Sequence, residues 1–168
     1  MFGTTRTQAA AMYAQLGEDA AREFFRQVRA RGVQIVDGNS VTKDMAAAGQ
    51  VMVGYTDTDD AKDALKDGAP VVMIFPDQGE DGMGTLITPS TAALVKGAPH
   101  SENGKKLLDF LVSAETERFL IEKGFFDVSV RENQGDFQVK GMDLNLRDIY
   151  LMLDVSSKDM EEIFLDAR

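Results

Sequence analysis

Residues 51–60 carry the sequence VMVGYTDTDD, in which an apolar run leads directly into the start of a predicted helix. Residues 51–55 are mostly apolar and predict a β-strand. Thr56, Asp57 and Thr58 follow, and Asp and Thr favour the N-cap of a helix because their side-chain oxygens accept hydrogen bonds from free N–H groups. With a helix continuing to about residue 66, this stretch predicts one strand–helix unit.

The same alternation extends to both sides of this unit. Upstream, residues 33–36 predict a strand and residues 41–49 a short helix; downstream, residues 71–75 are almost entirely apolar and predict a strand buried on both faces. Strands that alternate with helices of about ten residues indicate a parallel sheet. The predicted fold class is therefore α/β, with a parallel-type sheet flanked by helices.

The rest of the chain is predicted to be largely helical. Apolar residues recur at helical intervals, and Gly17 supplies a stop between the first two helices. Residues 76–84 are rich in glycine and acidic residues and predict an exposed loop or a crossing between structural units. The further predicted helices cover residues 5–16, 18–31, 99–112, 113–123, 144–153 and 157–166.

Composition excludes several classes of function. The net charge of -10 disfavours binding to nucleic acid or to an anionic membrane surface, and the absence of cysteine excludes thiol catalysis and thiolate metal sites. No pattern typical of a signal peptide opens the chain, and no apolar run is long enough to span a bilayer. His100 is the only histidine, which argues against a Ser-His-Asp triad.

Three predicted helix starts are the candidate ligand site. In a parallel α/β sheet such starts gather at one edge, where free N–H groups and the helix dipoles favour an anion. The alternative is that these residues are ordinary helix caps. The candidate residues are Gly3, Thr4 and Thr5, then Asn39 and Ser40, then Thr56, Asp57, Thr58 and Asp59.

The acidic residues after Thr56 allow a second interpretation. Asp57, Asp59 and Asp60 could coordinate a hard cation, although acidic residues at a helix start also simply complement its dipole. A hydrolase that uses an Asp nucleophile is a third hypothesis, but no general acid or base is placed near Asp57. The sequence therefore predicts no enzyme.

Four segments resemble a known family: FGTTRT (residues 2–7), GNSV (38–41), VGYTDTDDA (53–61) and GTLITPSTAALVKGAPH (84–100). They are similar to the C-terminal part of family 1 extracellular solute-binding proteins, which include the ferric-ion-binding proteins. The resemblance implies one lobe of a periplasmic-binding-protein-like fold, a small solute held in an interlobe cleft, a periplasmic location and an ABC permease as partner. No cofactor is implied, only a bound ferric ion or anion as cargo.

The resemblance also assigns roles along the chain. Residues 1–84 would be a ligand-binding lobe, residues 85–124 crossover strands and helices of the other lobe, and residues 125–168 a helical segment that packs back. Where ferric-ion-binding proteins carry a tyrosine pair, this chain has Asp59 and Asp60, so a metal on carboxylates, an oxyanion and a phosphorylated solute all remain open. Because much of a two-lobed protein would be missing, a homodimer is one expectation, and a self-associating chain without a ligand site is the alternative function.

Overall fold

The computed structural model describes residues 3–131 and 139–165, and within these ranges it contains seven helices and no strand. None of these helices is both long and apolar enough to cross a membrane. The helices are α1 (Gly3–Leu16), α2 (Glu18–Ala30), α3 (Asn39–Ala47), α4 (Thr58–Lys66), α5 (Ser101–Leu111), α6 (Ala114–Glu122) and α7 (Leu146–Phe164).

The chain forms two compact units. Unit 1 comprises Met1–Leu86 and Gly141–Arg168 and contains α1 to α4 together with α7. Unit 2 comprises Ile87–Lys140 and contains α5 and α6. The roles predicted for residues 1–84, 85–124 and 125–168 stay predictions.

The core of unit 1 lies between α1 and α7. Ala10 and Ala11 of α1 are completely buried and pack against Ile149 of α7. Because alanine side chains are small, they allow the two helix backbones to approach closely. α2 packs along both of these helices. Partly buried hydrophobic residues complete the cluster: Leu86, Met142, Leu144, Met152 and Leu153.

A buried polar network joins the same three helices. The Tyr13 hydroxyl of α1 donates a hydrogen bond to Asp159 Oδ2 of α7 at 2.7 Å. Arg22 of α2 donates from Nε to the same oxygen at 2.8 Å, and its Nη2 forms an ion pair with it at 2.7 Å. Burial and the hydrogen bond to Asp159 raise the pKa of Tyr13. The carboxylate is thus neutralised inside the core, as a buried charge requires.

Several predicted helices are confirmed. α1 and α2 match the predicted ranges to within two residues, and Gly17 separates them with a φ of 82°, a conformation that glycine adopts without strain. In unit 2, Ser113 caps α6 by accepting a hydrogen bond from the Thr116 N–H at 3.2 Å. Local signals were sufficient for these elements.

The prediction of two terminal helices was wrong, because residues 146–164 form the single helix α7. The serines that were expected to separate them continue the helix. Ser156 and Ser157 each donate a side-chain hydrogen bond to the Leu153 carbonyl, at 3.3 Å and 2.5 Å. A serine that bonds back to its own helix in this way does not terminate it.

The predicted parallel sheet is absent from the described residues. Residues 33–36, 51–55 and 71–75 form no strand, and Met52 is 100% exposed, Val72 79% and Ile74 78%. The prediction that residues 71–75 are buried on both faces was therefore wrong. A strand is stabilised only by a neighbour that takes up its N–H and C=O groups, and none of these three segments is part of a sheet within the described residues. In the same part of the chain, one parallel bridge joins Thr85 to Gly141.

In unit 2 a loop is anchored to α6 through Glu117. This buried carboxylate accepts hydrogen bonds from the Val130 N–H and from Arg131 Nη1, each at 2.8 Å. The hydrogen bond from Val130 and, as a smaller contribution, the one from Arg131 lower the pKa of Glu117 below its ordinary value.

The apolar stripe predicted on α5 is not buried in unit 2, because Leu107 and Leu111 are exposed.

Candidate functional site

Three helix starts of unit 1 meet at Asn39. The Asn39 side-chain amide lies at the start of α3 and donates to Thr4 Oγ1, in the first turn of α1, at 3.0 Å. The same amide donates a short hydrogen bond to Oδ2 of Asp57, the N-cap residue of α4. Thr56 Oγ1 donates to the Asn39 carbonyl at 3.3 Å. The structure thus brings Thr4, Asn39, Thr56 and Asp57 together without the predicted sheet.

The N-terminal ends of these helices give the site positive potential. Helix dipoles leave partial positive charge on the first N–H groups. The N-cap of α3 is Gly38, which has no side chain with which to cap them. Asp57 makes no capping hydrogen bond to α4, and its Oδ2 instead accepts a hydrogen bond from Asn39. Uncapped N–H groups at a helix start favour an anionic group.

Three carboxylates lie close together at the start of α4. One oxygen each from Asp57, Asp59 and Asp60 lies within 4.8 Å of the other two. Burial, followed by a hydrogen bond with Asp57, raises the pKa of Asp59. Asp57 Oδ1 is buried and has no hydrogen-bond partner among the described residues. A buried acceptor is rarely left without a donor in a folded protein, so Asp57 Oδ1 is an exception among the described residues.

Sequence reasoning missed two residues beside the site. Gln8 Nε2 of α1 donates to the Tyr55 hydroxyl at 2.5 Å, which places the tyrosine against α1. The Tyr55 side chain is 60% exposed and directly precedes Thr56. The position of Tyr55 next to Thr56 could have indicated its place beside the site. It was overlooked because residues 51–55 were predicted to form a strand.

The other predicted ligand residues are less connected. Gly3 begins α1, and Thr5 and Ser40 are exposed and make no side-chain hydrogen bond to described residues. Thr58 is the first residue of α4 and is half-buried. These four lie at the helix starts, where a bound ligand could reach them.

Gly54 allows the site to close tightly. A Cβ added there would lie 2.7 Å from Cγ2 of Thr42 and 3.3 Å from its carbonyl oxygen. The absence of a side chain therefore lets residues 54–57 run against α3, which brings Asp57 within reach of Asn39.

Comparison of the sequence with models of known protein families identifies one family. The model of the family described as bacterial extracellular solute-binding protein matches residues 2–126. No solved structure matches.

Among curated proteins, candidate 2-aminoethylphosphonate-binding periplasmic proteins from Salmonella typhi and from Salmonella typhimurium are each 27% identical over 100 residues. The aligned region is 60% of this chain and 30% of each relative. The chain thus spans about a third of the length of the curated relatives that it matches.

Proposed function

The chain belongs to the family of bacterial extracellular solute-binding proteins, and from this premise we propose that it takes part in capturing a small solute for an ABC importer in the periplasm. The ligand site is the meeting point of α1, α3 and α4. The observation that carries the proposal is the pair of hydrogen bonds from Asn39 to Thr4 and Asp57, which joins the three helix starts. An ABC permease is the proposed partner, and no enzymatic step is proposed.

The solute is a small molecule that carries both an anionic and an ammonium group. The starts of α1 and α3, with the hydroxyls of Thr4, Thr5 and Ser40, suit a phosphonate or phosphate. Asp57 and Asp59 suit an ammonium, because a carboxylate attracts a cation and would repel an anion placed beside it. A solute with only one kind of charge would satisfy half of the site.

The names of the relatives support this class of solute. They describe 2-aminoethylphosphonate, which carries a phosphonate and a primary amine on a short chain. Ferric iron is the competing cargo, with Asp59 and Asp60 as the proposed metal ligands. None of these names mentions iron, so we place the aminoalkylphosphonate first.

Thermal unfolding of the full chain tests the proposal. At a concentration about 100 times its dissociation constant, 2-aminoethylphosphonate should stabilise the chain by about 2.7 kcal/mol, which corresponds to a rise in Tm of about 5–11 °C. Ethylphosphonate, which lacks the amine, and ethylamine, which lacks the phosphonate, should each give a much smaller rise. A larger shift with ferric citrate would contradict the choice of solute.

Variants assign the effect to the site. Asn39→Ala and Asp59→Asn should each weaken binding of 2-aminoethylphosphonate, measured by titration calorimetry. Asn103→Ala is the matched control, because Asn103 is an exposed residue of α5 and makes no hydrogen bond to described residues. Unchanged affinity in both site variants would refute the site, provided that circular dichroism shows the same helix content.

A self-associating chain without a ligand is the second candidate. Exposed apolar side chains in residues 51–53 and 71–75 support it, because such segments readily add strands from another molecule. Light scattering over a dilution series would detect a homodimer. A double substitution of Val72 and Ile74 by threonine should then abolish the dimer and leave helix content unchanged. A monomer that binds the solute would exclude this candidate.

A further inference from the structure

A cavity lined mainly by charged residues lies in unit 1, between α2 and α7. It has a volume of about 270 Å³. Arg22, Arg26 and Arg29 line its α2 side, and Asp159 and Glu162 line its α7 side. None of these residues belongs to the candidate solute site.

The three arginines share one face of α2. Their spacing of four and then three residues places neighbouring side chains together on the helix surface. The guanidinium of Arg22 is not available to a ligand, because it forms a hydrogen bond and an ion pair with Asp159. Arg26 and Arg29 are exposed, and the guanidinium of neither makes an ion pair or a hydrogen bond with a described residue. Within the described part of the chain, two guanidinium groups beside the cavity thus have no partner.

The acidic residues of the cavity do not cancel these charges. Asp159 is 5% exposed and is neutralised by Arg22 and the Tyr13 hydroxyl. Glu162 lies 4.0 Å from the ammonium of Lys158, on α7. In a chain with a net charge of -10, the cavity is thus a local region of positive charge.

We propose that this cavity binds a small oxyanion that carries two or more negative charges, held between Arg26 and Arg29. A guanidinium presents several donors in a planar fork, so that each can bind a carboxylate or phosphoryl group through two hydrogen bonds. Arg22 is held by the buried Asp159, which leaves Arg26 and Arg29 as the arginines of the cavity that can turn to a ligand. Phosphoryl and carboxylate ligands share this chemistry, and the test distinguishes them.

Titration of the full chain with pyrophosphate and with citrate, at constant ionic strength, tests the proposal. Saturable binding of at least one is expected, and acetate at the same ionic strength should not compete. In the double variant Arg26→Gln/Arg29→Gln the affinity should fall at least about tenfold, because one charge-assisted hydrogen bond is worth a factor of that size. The stronger of the two ligands identifies the preferred group.

Matched variants separate the possible outcomes. Arg118→Gln/Arg147→Gln removes the same charge from exposed residues of α6 and α7 that have no described partner, and it should leave the affinity unchanged. Asn39→Ala should also leave it unchanged, so that failure of the solute site is distinguishable. The proposal is overturned if neither anion binds, if both double variants lose equal affinity, or if only Asn39→Ala loses it.

Discussion

Tyr13→Phe should destabilise unit 1 measurably, because it removes one hydroxyl from the centre of the α1–α2–α7 network. Tyr13 is 1% exposed, and its hydroxyl donates to Asp159 Oδ2 at 2.7 Å. Phenylalanine retains the ring and its stacked contact with Phe25. The Asp159 carboxylate keeps its interactions with Arg22, so the substitution isolates a single hydrogen bond to a charged acceptor.

The expected loss is about 2 kcal/mol of unfolding free energy, within the usual range of about 1.5–3 kcal/mol for such a bond. For a chain of this size that corresponds to a fall in Tm of about 4–8 °C. Urea unfolding followed by circular dichroism would give the free energy directly. Tyr150→Phe is the control, because Tyr150 lies exposed on α7 and makes no hydrogen bond to described residues.

Alkaline pH gives an independent test of the same bond. Because the folded state holds the pKa of Tyr13 above its ordinary value of 10.0, the unfolded chain releases this proton at a lower pH than the folded chain does. Wild-type stability should therefore fall as the pH rises above 10.0, and Tyr13→Phe should show a smaller fall, since Tyr55, whose pKa is also raised, still contributes. Equal stability of Tyr13→Phe and Tyr150→Phe at neutral pH would refute the role of the network.

Three further changes probe other parts of the chain. Asp59→Asn should raise the urea midpoint at neutral pH, because the fold raises the pKa of Asp59 and so disfavours its charged form. The gain in stability should vanish below pH 3.8, the ordinary pKa of this group. A lower urea midpoint at neutral pH would contradict this reasoning. Glu117→Gln should lower the hydrogen-exchange protection of the Val130 amide, because it weakens the bond that this amide donates. Wild-type stability should itself fall as the pH drops below 4.5, since the fold lowers the pKa of Glu117. A protection factor of the Val130 amide that does not change with pH would argue against this anchor. Gly54→Ala should weaken binding of 2-aminoethylphosphonate, because the new Cβ would displace residues 54–57 from Thr42; calorimetry that finds wild-type affinity would show that the backbone adapts without loss.

A helix could be predicted from the sequence where the residues that begin or end it lie within or next to it in the chain. Gly17 and the Ser113 cap act within a few residues, so their helices were found. Strands depend on a partner elsewhere in the chain, and apolar composition alone does not supply one. The segment at residues 71–75 shows this, because alternate side chains there are exposed although all five are apolar.

For the candidate site, sequence reasoning found the residues but not the way in which they are joined. Asn39 and Asp57 were chosen as parts of separate helix starts, and the hydrogen bond between them is a tertiary contact. The network of Tyr13, Arg22 and Asp159 was missed entirely, because nothing in the sequence around each residue specifies a partner. Pairings between elements that are distant in the chain are set by packing, which periodicity does not encode.

The pairing of α1 with α7 also governs the order in which the chain can fold during synthesis. Tyr13 and Asp159 are 146 positions apart, so α1 lacks its main packing partner, α7, until almost all of the chain has been made. Unit 2, a single continuous segment, can assemble earlier from contacts that are close in sequence. Until α7 emerges, the alanine face of α1 remains open to chaperones or to another nascent chain. A premature stop that removes α7 would therefore leave α1 translated but without its core, and such a product should be cleared by proteolysis.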